Sequence, residues 1–194
     1  LAQIAAGSIL HYVASTENTN LKHITSISRI QPERYVWLDK FTVRNLELVH
    51  SPHPSGIPLF DILDKTVCPM GTRMLKKWIL LPLKEQAAVE ARHQVVRFFI
   101  DNTKIGEETE GLIRQIGDLE RLISKVPLGK INPREVKQLD RALSALIPIK
   151  ENLGSVDNTQ LKSIAERLQL CTMMRERIAK ELVAEPPVRM DKGG

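Results

Sequence analysis

Five histidines and two cysteines are the side chains here with the widest chemical repertoire, and none stands at a working spacing. His50 and His53 share a loop. No cysteine or carboxylate lies beside them at the spacing a four-ligand zinc site needs. His11 and His23 are isolated and are expected on the surface or in structural hydrogen bonds. Cys68 and Cys171 form no CxxC pair, and neither has an evident base to make it a nucleophile. There is no GxxxxGK[ST] phosphate cradle, no GxSxG turn and no HExxH helix. Asp and Glu number 23, but no pair is singled out by spacing for acid–base work. No catalytic residue, cofactor-binding residue or metal ligand is therefore expected in this chain.

What remains is positive charge. The net charge of +5 is compatible with a polyanionic partner without requiring one. In residues 71–81, a helical period puts Met74, Leu75, Trp78 and Ile79 on one side and Arg73, Lys76 and Lys77 on the other. Arg73, Lys76 and Lys77, with Lys65 as an addition, could contact DNA-backbone phosphates. The competing reading is a solvated outer face, the usual arrangement of an amphipathic helix. Arg92 poses a different problem. It falls within the apolar stripe Ala88, Val95, Val96 and Phe99 of a helix over 84–100. An unpaired charge there is costly, so Arg92 must snorkel outward or meet a carboxylate. Asp118 is the expected partner in a buried, structural ion pair, with Asp61 and Asp64 as further candidates.

The elements that must position these residues are mostly helical. The chain has 194 residues, 42% hydrophobic but only 4% aromatic, which favours helices packed through aliphatic side chains. Residues 1–14 carry Leu1, Ile4, Ala5 and Ile9 at helical spacing. A change to alternating pattern, with a Gln-Pro-Glu-Arg turn, predicts a small β-hairpin near residues 24–38. Asp39 can cap a short helix through Leu48. Three prolines and a glycine make 49–58 a loop. Pro82 ends the helix over 71–81. Asp118 caps a helix bearing Leu119, Leu122, Ile123 and Val126. Asn132, Pro133 and Glu135 together start another, which bears Val136, Leu139, Leu143 and Leu146 and is expected to stop at Pro148. Residues 158–183 show Leu161, Ile164, Leu168, Cys171, Ile178 and Leu182 in steps of three and four, interrupted by Arg175, which predicts one long helix with a packing seam. No run of 18 apolar residues is present, so no membrane span is expected. The two unpaired cysteines suit a reducing compartment. The start at Leu1 and the stop at Gly193-Gly194 suggest part of a longer protein.

Several separate blocks, in order, resemble the MutS family of bacterial DNA mismatch-recognition ATPases. They are Leu38-Asp39 with Thr42; Arg44-Asn45-Leu46-Glu47; Leu63-Asp64 with Thr66; Pro69-Met70-Gly71; Arg73 with Leu75; Trp78; Pro82-Leu83; Arg92; and Gly117-Asp118-Leu119-Glu120-Arg121. The opening AAGSILHYV and closing EPPVRMDKGG resemble it too, so the likeness covers essentially the whole chain. The His-Ser-Pro-His-Pro loop, Phe41 and Cys68 are departures. The resemblance implies a mainly α, multi-helical core (lever) domain. Residues 1–22 would be its N-terminal helix or the tail of a connector, and 23–194 its first core segment. It also implies a parent that binds double-stranded mismatched DNA, ATP and magnesium, acts as a homodimer, meets a MutL-type repair partner, and is cytoplasmic and nucleoid-associated. The mismatch-reading Phe-x-Glu and the ATP loop are not in this sequence, so those roles transfer to no residue here. The implied role is a stiff helical body linking ATP-driven change to clamping on DNA, without chemistry of its own. Two alternatives stay open: a direct DNA-backbone-binding module, or a free-standing adaptor using the 158–183 seam. Because the family's core is assembled from two sequence segments, an uncovered apolar patch is expected.

Overall fold

Aliphatic residues three and four apart make helices along most of the computed structural model, which describes residues 1–16, 26 and 31–188. In order these are α1 (Ala2–Ser15), α2 (Lys40–Asn45), α3 (Leu59–Leu63), α4 (Pro69–Leu80), α5 (Gln86–Asp101), α6 (Thr103–Ile116), α7 (Leu119–Lys125), α8 (Pro133–Ser155), α9 (Thr159–Arg167) and α10 (Thr172–Glu181). No strand forms among the described residues. Of the expected hairpin near 24–38, residues 24, 25 and 27–30 lie outside the described ones. Its later part holds a 3-10 turn, Pro32–Arg34, then an isolated antiparallel bridge from Tyr35 to Leu83. Val36 N–H donates to the Pro82 carbonyl and Lys84 N–H to that of Arg34, so the described part pairs with the α4–α5 connection.

α8 is the axis. Its start follows from three residues: the Asn132 side chain accepts from Glu135 N–H, the Glu135 carboxylate accepts from Asn132 N–H, and Pro133 supplies a preset φ. α6, α7, α9 and α10 all lie against it, and α5 bridges α6 and α9. Ile116, Ala142, Ala145, Ile149, Leu153, Val156, Leu161 and Ala165 form one buried cluster, with Val95, Phe98 and Phe99 of α5 packed on it. Leu122 meets Leu139 and Leu143 in a second.

Three boundaries differ from the sequence expectation. Pro148 does not end α8, although it deprives the Ser144 carbonyl of its helical donor. Ile149 and Leu153, beyond the proline, are both buried. Burying two such side chains, at about 1.5–3 kcal/mol each, offsets an interior-proline cost of about 3 kcal/mol. Residues 158–183 form two helices, α9 and α10, instead of one. Lys150 Nζ donates to the Leu168 carbonyl at 2.8 Å, and Cys171 turns the chain with φ of 47°. Both pieces reach α8. α2 stops at Asn45 instead of Leu48. Glu47, with φ of 48°, turns the chain inward, Leu48 becomes buried, and the carbonyls of Glu47 and Leu48 accept from Leu59 and Phe60.

The region before α5 covers itself poorly. Trp37 is 70% exposed and Phe41 75%, and Leu46, Ile57, Ile62 and Leu63 are also exposed. α1 exposes Ile4, Ile9 and Tyr12.

Candidate nucleic-acid face and its anchors

The basic side of α4 is built by a helix that starts at Pro69 and ends at Leu80, where Leu81 N–H still donates to the Lys77 carbonyl and Pro82 cannot continue. Of the three cations expected there, Arg73 is fully engaged inside the molecule. Its Nη1 and Nη2 donate to the two oxygens of Asp118 at 3.1 and 2.7 Å, and its Nε donates to Glu120 Oε2 at 2.7 Å. A planar guanidinium fits this two-carboxylate fork as no ammonium could. Asp118 does double duty, because Oδ1 also caps α7 by accepting from Arg121 N–H at 3.2 Å. The Arg73 hydrogen bonds hold the Asp118 carboxyl below the usual Asp range, and Asp118, then Glu120, raise Arg73 above the usual guanidinium value. Lys76 Nζ sits 5.9 Å over the Phe60 ring and leans toward α3. Lys77 is exposed, and among the described residues it has no side-chain partner.

The expected pairing of Arg92 with Asp118 is corrected by the same geometry. Asp118 is taken by Arg73, and among the described residues no carboxylate pairs with Arg92. The guanidinium instead lies over Trp78, its Cζ 3.7 Å from the ring centroid. Partial burial lowers the Arg92 pKa, with the nearby Tyr35 acting weakly in the other direction. The aromatic face does what the carboxylate was expected to do: it lets a cation lie along an apolar stripe. Asp64 is also spoken for, since its carboxylate accepts from Thr66 N–H and hydroxyl at 3.1 and 2.6 Å, which lowers its pKa.

A second anchored arginine escaped the spacing argument. Arg175 interrupts the apolar seam, and the fold answers with Asp140 and Ser144 of α8. Arg175 Nη2 donates to Ser144 Oγ at 2.9 Å, and its Nε lies 3.8 Å from Asp140, which also meets Lys137 at 3.2 Å. The signal was in the sequence: a charge within an apolar seam demands a partner. Lys125 likewise pairs with Glu135, tying α7 to the start of α8. Of the 158–183 seam, Leu161 and Ile178 are buried within the chain, Ile164 and Leu168 pack on its core, and Cys171 is exposed. Among the described residues, no group of three or more His, Cys, Asp or Glu could hold a metal ion, and no helix is long and apolar enough to cross a membrane.

The arrangement is thus a helical body in which Arg73 and Arg175 fasten helices together. A family model described as MutS domain III matches residues 41–194. The DNA mismatch repair protein MutS of Christiangramia forsetii is 48% identical over 191 residues, 98% of this chain and 22% of the relative. That of Parabacteroides distasonis is 47% identical over 194 residues, 100% of this chain and 22% of the relative. That of Flavobacterium psychrophilum is 48% identical over 190 residues, again 98% and 22%. The chain belongs to the MutS domain III family, and it spans 22% of the length of these relatives.

Proposed function

We propose that this chain is a helical connecting core of a DNA mismatch-repair protein: a stiff body that links ATP-driven change elsewhere in the parent to clamping on mismatched DNA. The observation that carries this reading is the three-atom grip of Arg73 on Asp118 and Glu120. It turns the centre of the basic face into a fastening between α4 and α7. Packed helices joined by such fastenings have discrete arrangements, which is what passing on a shift requires. In this reading residues 1–22 are an N-terminal helix at the edge of the core, and 23–194 its first segment. ATP, magnesium, the mismatched duplex, the second copy of a homodimer and a MutL-type partner are engaged by other parts of the parent, a protein of the cytoplasm and nucleoid. In this reading no chemical step is routed through this chain.

Fluorescence anisotropy with labelled matched and mismatched duplexes, at two salt concentrations, tests the reading. The expected result is weak binding or none. Tight binding that falls steeply with salt, ignores the mismatch and is lost in Lys77→Gln would replace it with the DNA-backbone-binding module.

A further inference from the structure

Arg73, Lys125, Lys137 and Arg175 each have a carboxylate partner. Other cations have none, and one group of these converges on a hollow. Lys40 and Arg44, four apart on α2 and so on one face, line a cavity of about 420 Å³ with His50 and Ser51 from the following loop. Among the described residues, none of Lys40, Arg44 and His50 has an ion-pair or side-chain hydrogen-bond partner. No carboxylate lines the hollow, whose remaining wall is Val43, Val49 and Pro52. The nearest helix-capping acid, Asp39, is turned to Thr42 N–H at 2.8 Å.

We infer that this hollow binds a phosphate monoester whose ester oxygen carries an apolar group. The chemistry follows from the lining. A guanidinium fork and an ammonium offer several charge-assisted donors to a dianion with three terminal oxygens, and the imidazole and the Ser51 hydroxyl add more. The Val43, Val49 and Pro52 wall gives an attached apolar group somewhere to lie out of water. The concave shape suits a terminal phosphate on a small group better than the flank of a long duplex. The turn at Glu47 makes the site possible, because it brings the 49–52 loop back beside α2. This inference does not rest on the connecting role proposed above.

The test is a titration of the chain with inorganic phosphate and with phenyl phosphate, followed by the NMR amide shifts of Val43, Val49 and Ser51. Both are expected to saturate, phenyl phosphate at several-fold lower concentration. The pair Lys40→Gln and Arg44→Gln should weaken binding about a hundredfold, roughly tenfold for each lost charge-assisted contact. Both residues are exposed, so the variant should keep the parent's helical circular dichroism and melting temperature. A control pair, Lys104→Gln with Lys180→Gln, removes the same charge elsewhere and should leave binding unchanged. Shifts that stay linear in phosphate, an equal loss in the control pair, or binding of duplex DNA or polyglutamate without binding of phenyl phosphate would each overturn the inference.

Discussion

The two halves of this molecule treat apolar surface in opposite ways. From α5 onward the chain builds a common core: among the described residues every buried hydrophobic one but Leu48 lies between Ile116 and Ile178, although side chains such as Ile100 and Met173 stay in the open. The charges near that core are matched, Arg175 by Asp140 and Ser144, and Lys125 by Glu135. Residues 36–85 do the reverse. They hold large side chains such as Trp37 and Phe41 in the open and fasten themselves to the bundle through a few polar and aromatic contacts. Alternation with period 3.6 is present in both halves, so pattern alone does not separate them. The difference is that α5–α10 wrap a common axis, whereas α2 and α3 are too short to present a full stripe to any one neighbour. The second half stands on its own hydrophobic core, and the first carries more apolar surface than it covers, as a connecting surface would.

The strongest challenge to that contrast is a pair of truncations. Leu161 is 1% exposed, and Leu161→Ala should destabilise by about 2–5 kcal/mol in urea unfolding. Phe41→Ala removes a larger side chain from a position 75% exposed and should stay within about 0.5 kcal/mol. Equal costs would mean that Phe41 is buried in solution and that the two halves do not differ as described.

The two arginines set in apolar stripes sharpen it next. Arg175→Ala strips Asp140 of one of its two cations and leaves the Ser144 hydroxyl without its donor, so a loss of about 1–2 kcal/mol is expected. Arg92→Met keeps most of the stem and loses only the stacking over Trp78, about 1 kcal/mol or less at this partly exposed site. Thermal melts of both variants give the ranking. If Arg92→Met costs more than Arg175→Ala, a carboxylate partner for Arg92 has to be sought after all.

How much of this was legible beforehand depends on whether the deciding interaction is local. The Asp39, Asp118 and Asn132 caps could be read from the chain because a cap acts within three residues. The proline after α4 and the basic side of α4 are local in the same sense. The partner of Asp118 is not local: Arg73 lies 45 positions away, and nothing in the spacing favours it over Arg92. α6 is absent from the elements expected from the sequence, although Ile105, Leu112, Ile113 and Ile116 carry a helical period that packing completes. Pro148 was over-read as a stop for a related reason: local chemistry opposes the helix there, and the buried residues that override it come later. The likeness to MutS was legible because it lies in several ordered blocks, whereas the phosphate-contact role of Arg73, Lys76 and Lys77 depended on which side chains were already engaged.

The Arg73 fastening can be probed through pH. Asp118 has a folded-state pKa below its unfolded value, chiefly because Arg73 donates to it. A depressed carboxylate stabilises the fold above its unfolded pKa of about 4, and the contribution is lost as pH falls through the lower folded value. Arg73→Gln should therefore melt a few degrees below the parent at neutral pH, and the gap should close as pH drops below about 4. A gap that persists in acid would assign the effect of Arg73 to packing of its stem.

The smallest expected effect bears on the break between α9 and α10. Cys171 has φ of 47°, a left-handed conformation that costs a residue with a Cβ about 1 kcal/mol. Glycine avoids that strain but loses more backbone freedom on folding, at a cost of about 0.5–1 kcal/mol. Cys171→Gly should thus leave stability unchanged or raise it by up to about 0.5 kcal/mol, measured as the shift of the urea midpoint. A continuous helix over 158–183, which the apolar period alone predicts, gives the opposite sign, because glycine in a helix interior costs about 1 kcal/mol. The sign of this change therefore decides whether the helix is broken in solution. A break maintained by Lys150 on the Leu168 carbonyl would also make Lys150→Met more damaging than an exposed-lysine substitution, since that carbonyl has no helical donor to replace it.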